Sequence, residues 1–126
     1  MKVKSKKQIR FEKGILISFF CLLITLSFHL ILYPAYLSMA HACIPQKDNF
    51  WLESKGYSKT GEFITGNKSS GKKSLIKVFN NKEETMVHEL CHQVQYKEHR
   101  LYSCKHKILR YINEIECYFK KEIFKL

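Results

Sequence analysis

The spacing of apolar positions changes three times along the chain, and each change predicts a different element. From 14 to 40 no residue is formally charged, and 15–33 is almost entirely Ile, Leu, Phe, Ser, Thr and Cys. A helix over those nineteen positions rises about 28 Å, close to the hydrocarbon thickness of a bilayer. Two short apolar runs follow, Glu62-Phe63-Ile64-Thr65 and Ser74-Leu75-Ile76-Lys77-Val78-Phe79, on either side of a Gly-, Ser- and Lys-rich stretch at 66–73. That pattern predicts a β-hairpin with a long turn. The period then becomes helical. Val87, Leu90, Cys91 and Val94 fall at i, i+3, i+4 and i+7 and predict a helix from near Asn80 or Asn81 to about Glu98 with that stripe toward the core. Asn81 followed by Glu84 fits an N-cap with its capping-box partner, and Glu83 and Glu84 suit the positive end of the helix dipole. After a charged loop, Ile108, Ile112, Ile115, Phe119 and Ile123 form the apolar stripe of a last helix over about 105–124.

These elements amount to an α+β chain: a basic N-terminus and a transmembrane or signal helix over 1–40, a linker over 41–56, and a small domain over 57–126 built from a hairpin and two helices. Phe50, Trp51 and Leu52 interrupt the linker and suit either packing on the domain or a membrane surface. The core is thin for so short a domain, which makes metal or disulfides the expected source of extra stability. The segment Gly66 to Lys72 has the look of a phosphate loop, but Lys73 stands where the motif needs Ser or Thr and no helix pattern follows. It reads as a turn.

Charge adds orientation to this picture. The 126 residues carry 22 Lys and Arg against 11 Asp and Glu, a formal +11. Six of the basic residues (Lys2, Lys4, Lys6, Lys7, Arg10 and Lys13) lie in the first 13 positions with a single acid, Glu12. A basic flank of this kind stays in the cytoplasm and sends the following domain to the other side. The apolar run is longer than the 7–15 residues or so of a signal peptide, which favours a retained single-pass anchor in the cell membrane. Yet Ala40-His41-Ala42 before Cys43 is an A-x-A cleavage signature, so a secreted or periplasmic product cut near Ala42 is the alternative. The basic surface attracts anionic partners in general, and nothing in it specifies a nucleic acid. Cys43, Cys91, Cys104 and Cys117 lie beyond the apolar run. Outside the cytoplasm four such cysteines suggest two disulfides, in any of three pairings.

The chemistry concentrates in His88-Glu89-Leu90-Cys91-His92, which reads HExxH. Histidines four apart project from one face of a helix and can share a tetrahedral metal. Glu89 lies about 100° round from His88, placed to contact a metal-bound water as general base. A zinc site also needs a third protein ligand. An arrangement with Gly at 95 and His at 98 is excluded by Gln95 and Glu98. The remaining common solution is a Glu on a second helix some twenty residues on, where the chain offers Asn113-Glu114-Ile115-Glu116-Cys117.

Over about 76–118 the chain thereby resembles the gluzincin group of zinc metallopeptidases, in particular small HExxH proteins with Gln three residues after the second His, as Gln95 is here. In that group the downstream helix reads roughly E-x-x-A-[DN], and its first Glu binds zinc. The resemblance implies a Zn2+ site formed by His88, His92 and Glu114, with Cys117 in the small-residue position and Tyr118 where Asp or Asn is usual. A helical wheel points instead to Glu116, which lies nearer the Ile108/Ile112/Phe119 stripe, so Glu116 is the alternative ligand. The resemblance further implies two zincin-like helices, peptide-bond hydrolysis on a peptide or protein substrate with Glu89 as general base, and an edge strand at 75–79 along which substrate pairs. Candidates to stabilise an oxyanion are His99, Tyr102, His106 and Tyr111. Two helices close enough to share a metal would also bring Cys91 and Cys117 together, as a disulfide or as a close-packed pair. Two other readings stay open: a non-catalytic module stabilised by zinc with a fourth protein ligand, and a small basic membrane protein in which HELCH has no metal role.

Overall fold

A computed structural model describes residues 3–44, 48 and 50–126. Lys2 of the basic N-terminus, and Pro45 and Lys47 of the expected linker, lie outside the described residues. The chain starts with helix α1 (Lys6–Ser27), passes through one π-helical turn (Phe28–Leu32) and continues as α2 (Tyr33–Cys43). Together they form one 38-residue helix, long and apolar enough to cross a membrane. Ser5 caps it by accepting from the Gln8 amide. The π turn has a local cause. Pro34 has no N–H to offer the carbonyl four residues back, and the turn before it widens so that the Tyr33 amide reaches Phe28 O.

The two halves of this helix behave differently. No residue of α1 is buried, whereas Ala35, Leu37, Met39 and Ala40 of α2 are. Helix α3 (Phe50–Ser54) inserts Leu52, 1% exposed, against Leu37 and Ala40, with Tyr33, Ile44 and Tyr57 around them. Of the aromatic trio, Leu52 therefore packs inside. Trp51 meets Tyr36 edge-on at 6.5 Å, and Phe50 is exposed.

The hairpin comprises β1 (Gly61–Ile64) and β2 (Leu75–Val78), antiparallel, with Phe63 opposite Ile76. Its turn is closed by an Asn67–Lys72 bridge, and Gly71 takes a left-handed conformation at φ +68° that a side chain would strain. Helix α4 (Glu83–Lys97) and helix α5 (Lys107–Phe124), the latter entered through a 3₁₀ turn at Cys104–His106, complete a mixed, mostly helical architecture with a two-stranded sheet. α5 packs on α4 and lies along α2 and the π turn.

Two local expectations are corrected. Asn81 does not cap α4. It sits at φ +52°, Lys82 is the N-cap without a side-chain bond, and the capping work falls to Asn80, whose Oδ1 accepts from the Lys82 amide. Asn80 Nδ2 also donates to Thr85 Oγ1, so one side chain holds both the entry and the first turn. The second correction concerns which faces are inside. On α4 the buried residues are Thr85, His88, Glu89, Cys91, His92 and Gln95, while Leu90 and Val94 are exposed. On α5 they are Asn113, Glu114 and Cys117, while Ile108, Ile112, Phe119 and Ile123 are exposed. The helices meet through the Cys91–Cys117 disulfide and the polar groups beside it, and that contact turns half of the predicted α4 stripe and most of the α5 stripe outward. A second disulfide, Cys43–Cys104, joins the end of α2 to the approach of α5.

Candidate metal centre

The face of α4 that enters the α4–α5 contact carries His88 and His92, one helical turn apart, and α5 brings Glu114 opposite them. His88 Nε2 and His92 Nε2 are 3.2 Å apart. Glu114 Oε2 lies 3.2 Å from His92 Nε2 and 3.3 Å from His88 Nε2. The three atoms form a nearly equilateral triangle, and all three residues are buried. Two ligand atoms of a regular tetrahedral site are separated by about 1.6 times the metal–ligand distance, or about 3.3 Å for nitrogen and oxygen bonds to zinc of about 2.0–2.1 Å. The triangle has the donor types and the edge length that such a site requires. Among the described residues no fourth His, Cys, Asp or Glu joins the group.

The network behind the triangle fixes how the histidines face it. Gln95, fully buried, donates through Nε2 to Asn113 O at 3.1 Å and to Glu116 Oε2 at 3.0 Å. Both partners only accept, so the amide orientation is determined and Gln95 Oε1 points at His92 Nδ1, 3.0 Å away. His92 must donate from Nδ1, which leaves the Nε2 lone pair directed into the triangle. The role of Gln95 is therefore to set a tautomer. Asn113 secures the other side by accepting from the Tyr102 amide and donating to Arg100 O.

Glu114, and not Glu116, meets the two histidines. Glu116 accepts from Arg100 Nη1, Gln95 Nε2 and Lys120 Nζ, which makes it the clamp on Gln95 at the surface end of the network. Glu114 Oε1 accepts from Arg110 Nη2 at 3.1 Å, leaving Oε2 for the triangle. Tyr118 does not supply the bond that Asp or Asn would give. Its ring meets His88 edge-on at 4.6 Å, and His88 Nδ1 is buried without a hydrogen-bond partner among the described residues.

The electrostatics follow from burial and contact. Burial pushes the Glu114 carboxyl up, but the hydrogen bonds of His88 and His92 and the charges of His92 and Arg110 outweigh it and hold it well below the usual range. Burial also opposes a charge on His92, and the Glu114 bond overcomes it, so its pKa is raised. For His88 burial wins and the pKa falls. Glu89 is pushed up to about 7, chiefly by burial. A buried carboxyl poised near neutrality beside a metal-type donor set is the property expected of a proton-transfer group.

His88, Glu89, His92 and Glu114 open onto a cavity of about 530 Å3. The strand lining it is β1, through Gly61 to Ile64, and not the expected strand at 75–79. Gly61 approaches α4 so closely that a Cβ there would stand 2.7 Å from Thr85 Cγ2 and 2.8 Å from Glu89 Oε1. Of the four groups considered for oxyanion stabilisation, Tyr102 lines the cavity, while His99 and His106 are exposed side chains outside its lining. Tyr111 is committed elsewhere, donating to Leu32 O at 2.7 Å. The cavity instead contains His41, Tyr57 and Arg110. Arg110 Nε is buried and unbonded among the described residues. Arg110 stands four residues before Glu114 on the same flank of α5, whereas no sequence signal marked His41 and Tyr57, which α2 and the segment after α3 bring in only in three dimensions. Comparison with family models, with curated proteins and with solved structures finds no match for the chain.

Proposed function

We propose that this chain is a membrane-anchored, zinc-dependent hydrolase of peptide bonds, with a minimal zincin-like site carried by α4 and α5. The single observation that carries the reading is the His88–His92–Glu114 triangle, whose edges of 3.2, 3.2 and 3.3 Å match a tetrahedral site. What a bound zinc supplies is Lewis-acid polarisation and a lowered pKa for water. The chain's own residues do the rest. Glu89 takes a proton from the attacking water and returns it to the leaving amide nitrogen, from its place on the cavity wall beside His88 and His92. The backbone of β1 gives an extended peptide an edge to pair with along the cavity. A closed structural site would need a fourth protein ligand, and the described residues offer none.

Retention of the N-terminal helix is part of the proposal. Cleavage after Ala42 would remove Ala35, Leu37, Met39 and Ala40, which are buried in the packed unit. The domain would lose part of its core together with its anchor. Both disulfides fit a folded part on the non-cytoplasmic side.

The test is metal content of the purified full chain in detergent, wild type beside His88→Ala, followed by peptide hydrolysis with Glu89→Gln. About one zinc per chain, lost on His88→Ala, is expected of a site with two His and one Glu ligand. Glu89→Gln should keep the zinc and lower turnover by about 10²–10⁴-fold. A folded wild-type chain without zinc would sink the metal site. Zinc retained with activity unchanged in Glu89→Gln would sink the assigned base.

A further inference from the structure

The apolar face of α5 is the largest feature that neither the fold nor the site uses. Ile108 is 77% exposed, and Ile112, Phe119, Ile123 and Phe124 are each about half exposed. The helix is strongly amphipathic, yet it packs on the rest of the molecule through Asn113, Glu114 and Cys117. We propose that this face lies in the headgroup–acyl boundary of the same bilayer that α1 crosses, so that α5 is a membrane-surface helix and its partner is a lipid surface.

The position of α5 relative to the apolar helix supports that occupant. Tyr111, in the second turn of α5, donates to Leu32 O, one residue before the apolar run ends at Tyr33. Tyr36 meets Tyr111 at 6.3 Å and Trp51 at 6.5 Å, which gathers Tyr and Trp rings at the level where the helix leaves the hydrocarbon. Rings of this type belong at a membrane–water interface. Farther along, Lys121 and Glu122 share a small cavity with His29 and Leu30, so the C-terminal turns of α5 stand beside the last turns of the apolar run. A helix fixed at that level, with an exposed stripe of Ile and Phe, presents apolar area where acyl chains begin.

The charges beside the stripe are mixed. At about 100° per residue Glu116, Glu122 and Lys120 lie nearest it, while Lys107, Lys121 and Lys125 fall toward the opposite side of the helix, with Arg110 and Glu114. The level of α5 beside the apolar run, rather than charge, is what favours a lipid surface over a second copy of the chain.

The inference needs α1 to span the bilayer and is independent of the metal chemistry, so its test carries an internal control for the span. Trp51 is the only tryptophan. In the full chain with Trp51→Phe, a single Trp is placed by Phe119→Trp or, one turn on, by Ile123→Trp. Leu23→Trp marks the span and Ser70→Trp marks the hairpin turn. The proteins are reconstituted in vesicles of phosphatidylcholine and phosphatidylglycerol with brominated acyl chains. A face sunk about 5–10 Å should give both α5 variants quenching within about two-fold of Leu23→Trp, with Ser70→Trp unquenched. If Leu23→Trp is quenched and both α5 variants behave like Ser70→Trp, the proposal is overturned while the span stands. Unquenched but blue-shifted α5 variants in a cross-linkable dimer would overturn it in favour of a second copy. An unquenched Leu23→Trp would remove the span and the proposal with it.

Discussion

Two buried regions of this small protein are held by different physics. Where α2 meets α3, Leu37, Ala40 and Leu52 close on Tyr33, Ile44 and Tyr57, an ordinary apolar cluster. Where α4 meets α5, the interior is Thr85, His88, Glu89, His92, Gln95, Asn113 and Glu114 around one disulfide. Burying that many polar groups is unfavourable unless each is paired. Gln95, Asn113 and Glu114 are paired fully, and the His88–His92–Glu114 corner is the part that a cation would complete. The first region stabilises the fold. The second uses stability drawn from covalent and apolar sources to hold a group of polar side chains that could take a metal ion.

The difference can be tested by removing what holds each region. Replacing both Cys91 and Cys117 by Ala should have the largest effect. Closure across the 26-residue separation corresponds to about 3.5 kcal/mol, and the polar interior has little apolar burial to fall back on. Expected outcomes are a lower denaturant midpoint in detergent and loss of the bound metal. Full metal content in the double variant would mean that the polar network holds itself. Next comes Leu52→Ala, with an expected loss of about 3 kcal/mol for a fully enclosed leucine. Its midpoint should fall while metal per folded chain stays unchanged, the opposite signature. Metal loss in parallel with the midpoint would show that the two regions form one cooperative unit.

How much of this arrangement was legible in the sequence follows from the same contrast. The long apolar helix, the hairpin and the two later helices could be read from periodicity, because each is a local pattern. Asn81 was misread as a cap because Asn80 and Asn81 are adjacent, and backbone dihedrals decide which one reaches the Lys82 amide. The faces of α4 and α5 were misread for a deeper reason. Period analysis assumes that the apolar stripe goes inside, and here a disulfide and a polar cluster take the inner position. The HExxH spacing pointed to His88, Glu89 and His92, and motif register chose Glu114 where the helical wheel preferred Glu116. The wheel took its reference from the stripe, which faces out, and Glu116 meets Gln95 and not the histidines. Arg110 shares a flank with Glu114 four residues on, which the sequence does show, but Tyr57 and His41 were illegible, since their place in the cavity depends on how α2 and α5 pack.

A smaller effect should come from Gln95→Leu, which keeps volume and removes the acceptor that fixes the His92 tautomer. Loss of such an outer partner lowers metal affinity by about 10–100-fold. Competition with a chromophoric chelator measures this directly, and the variant should retain its metal stoichiometry at saturating zinc. An unchanged affinity would mean that His92 keeps its tautomer by packing alone.

The smallest effect tests the joint between the regions. Tyr111 ties α5, which carries Glu114, to the Leu32 carbonyl beside the π turn. Tyr111→Phe keeps the ring against Tyr36 and removes only the hydroxyl, with an expected loss of about 1 kcal/mol for one hydrogen bond. If the apolar region serves only to anchor α5, zinc affinity should be unaltered while the midpoint shifts slightly. A fall in affinity larger than the fall in stability would instead show that the position of Glu114 is set through the helix-to-helix joint, which would make the long apolar helix part of the support of the candidate metal site.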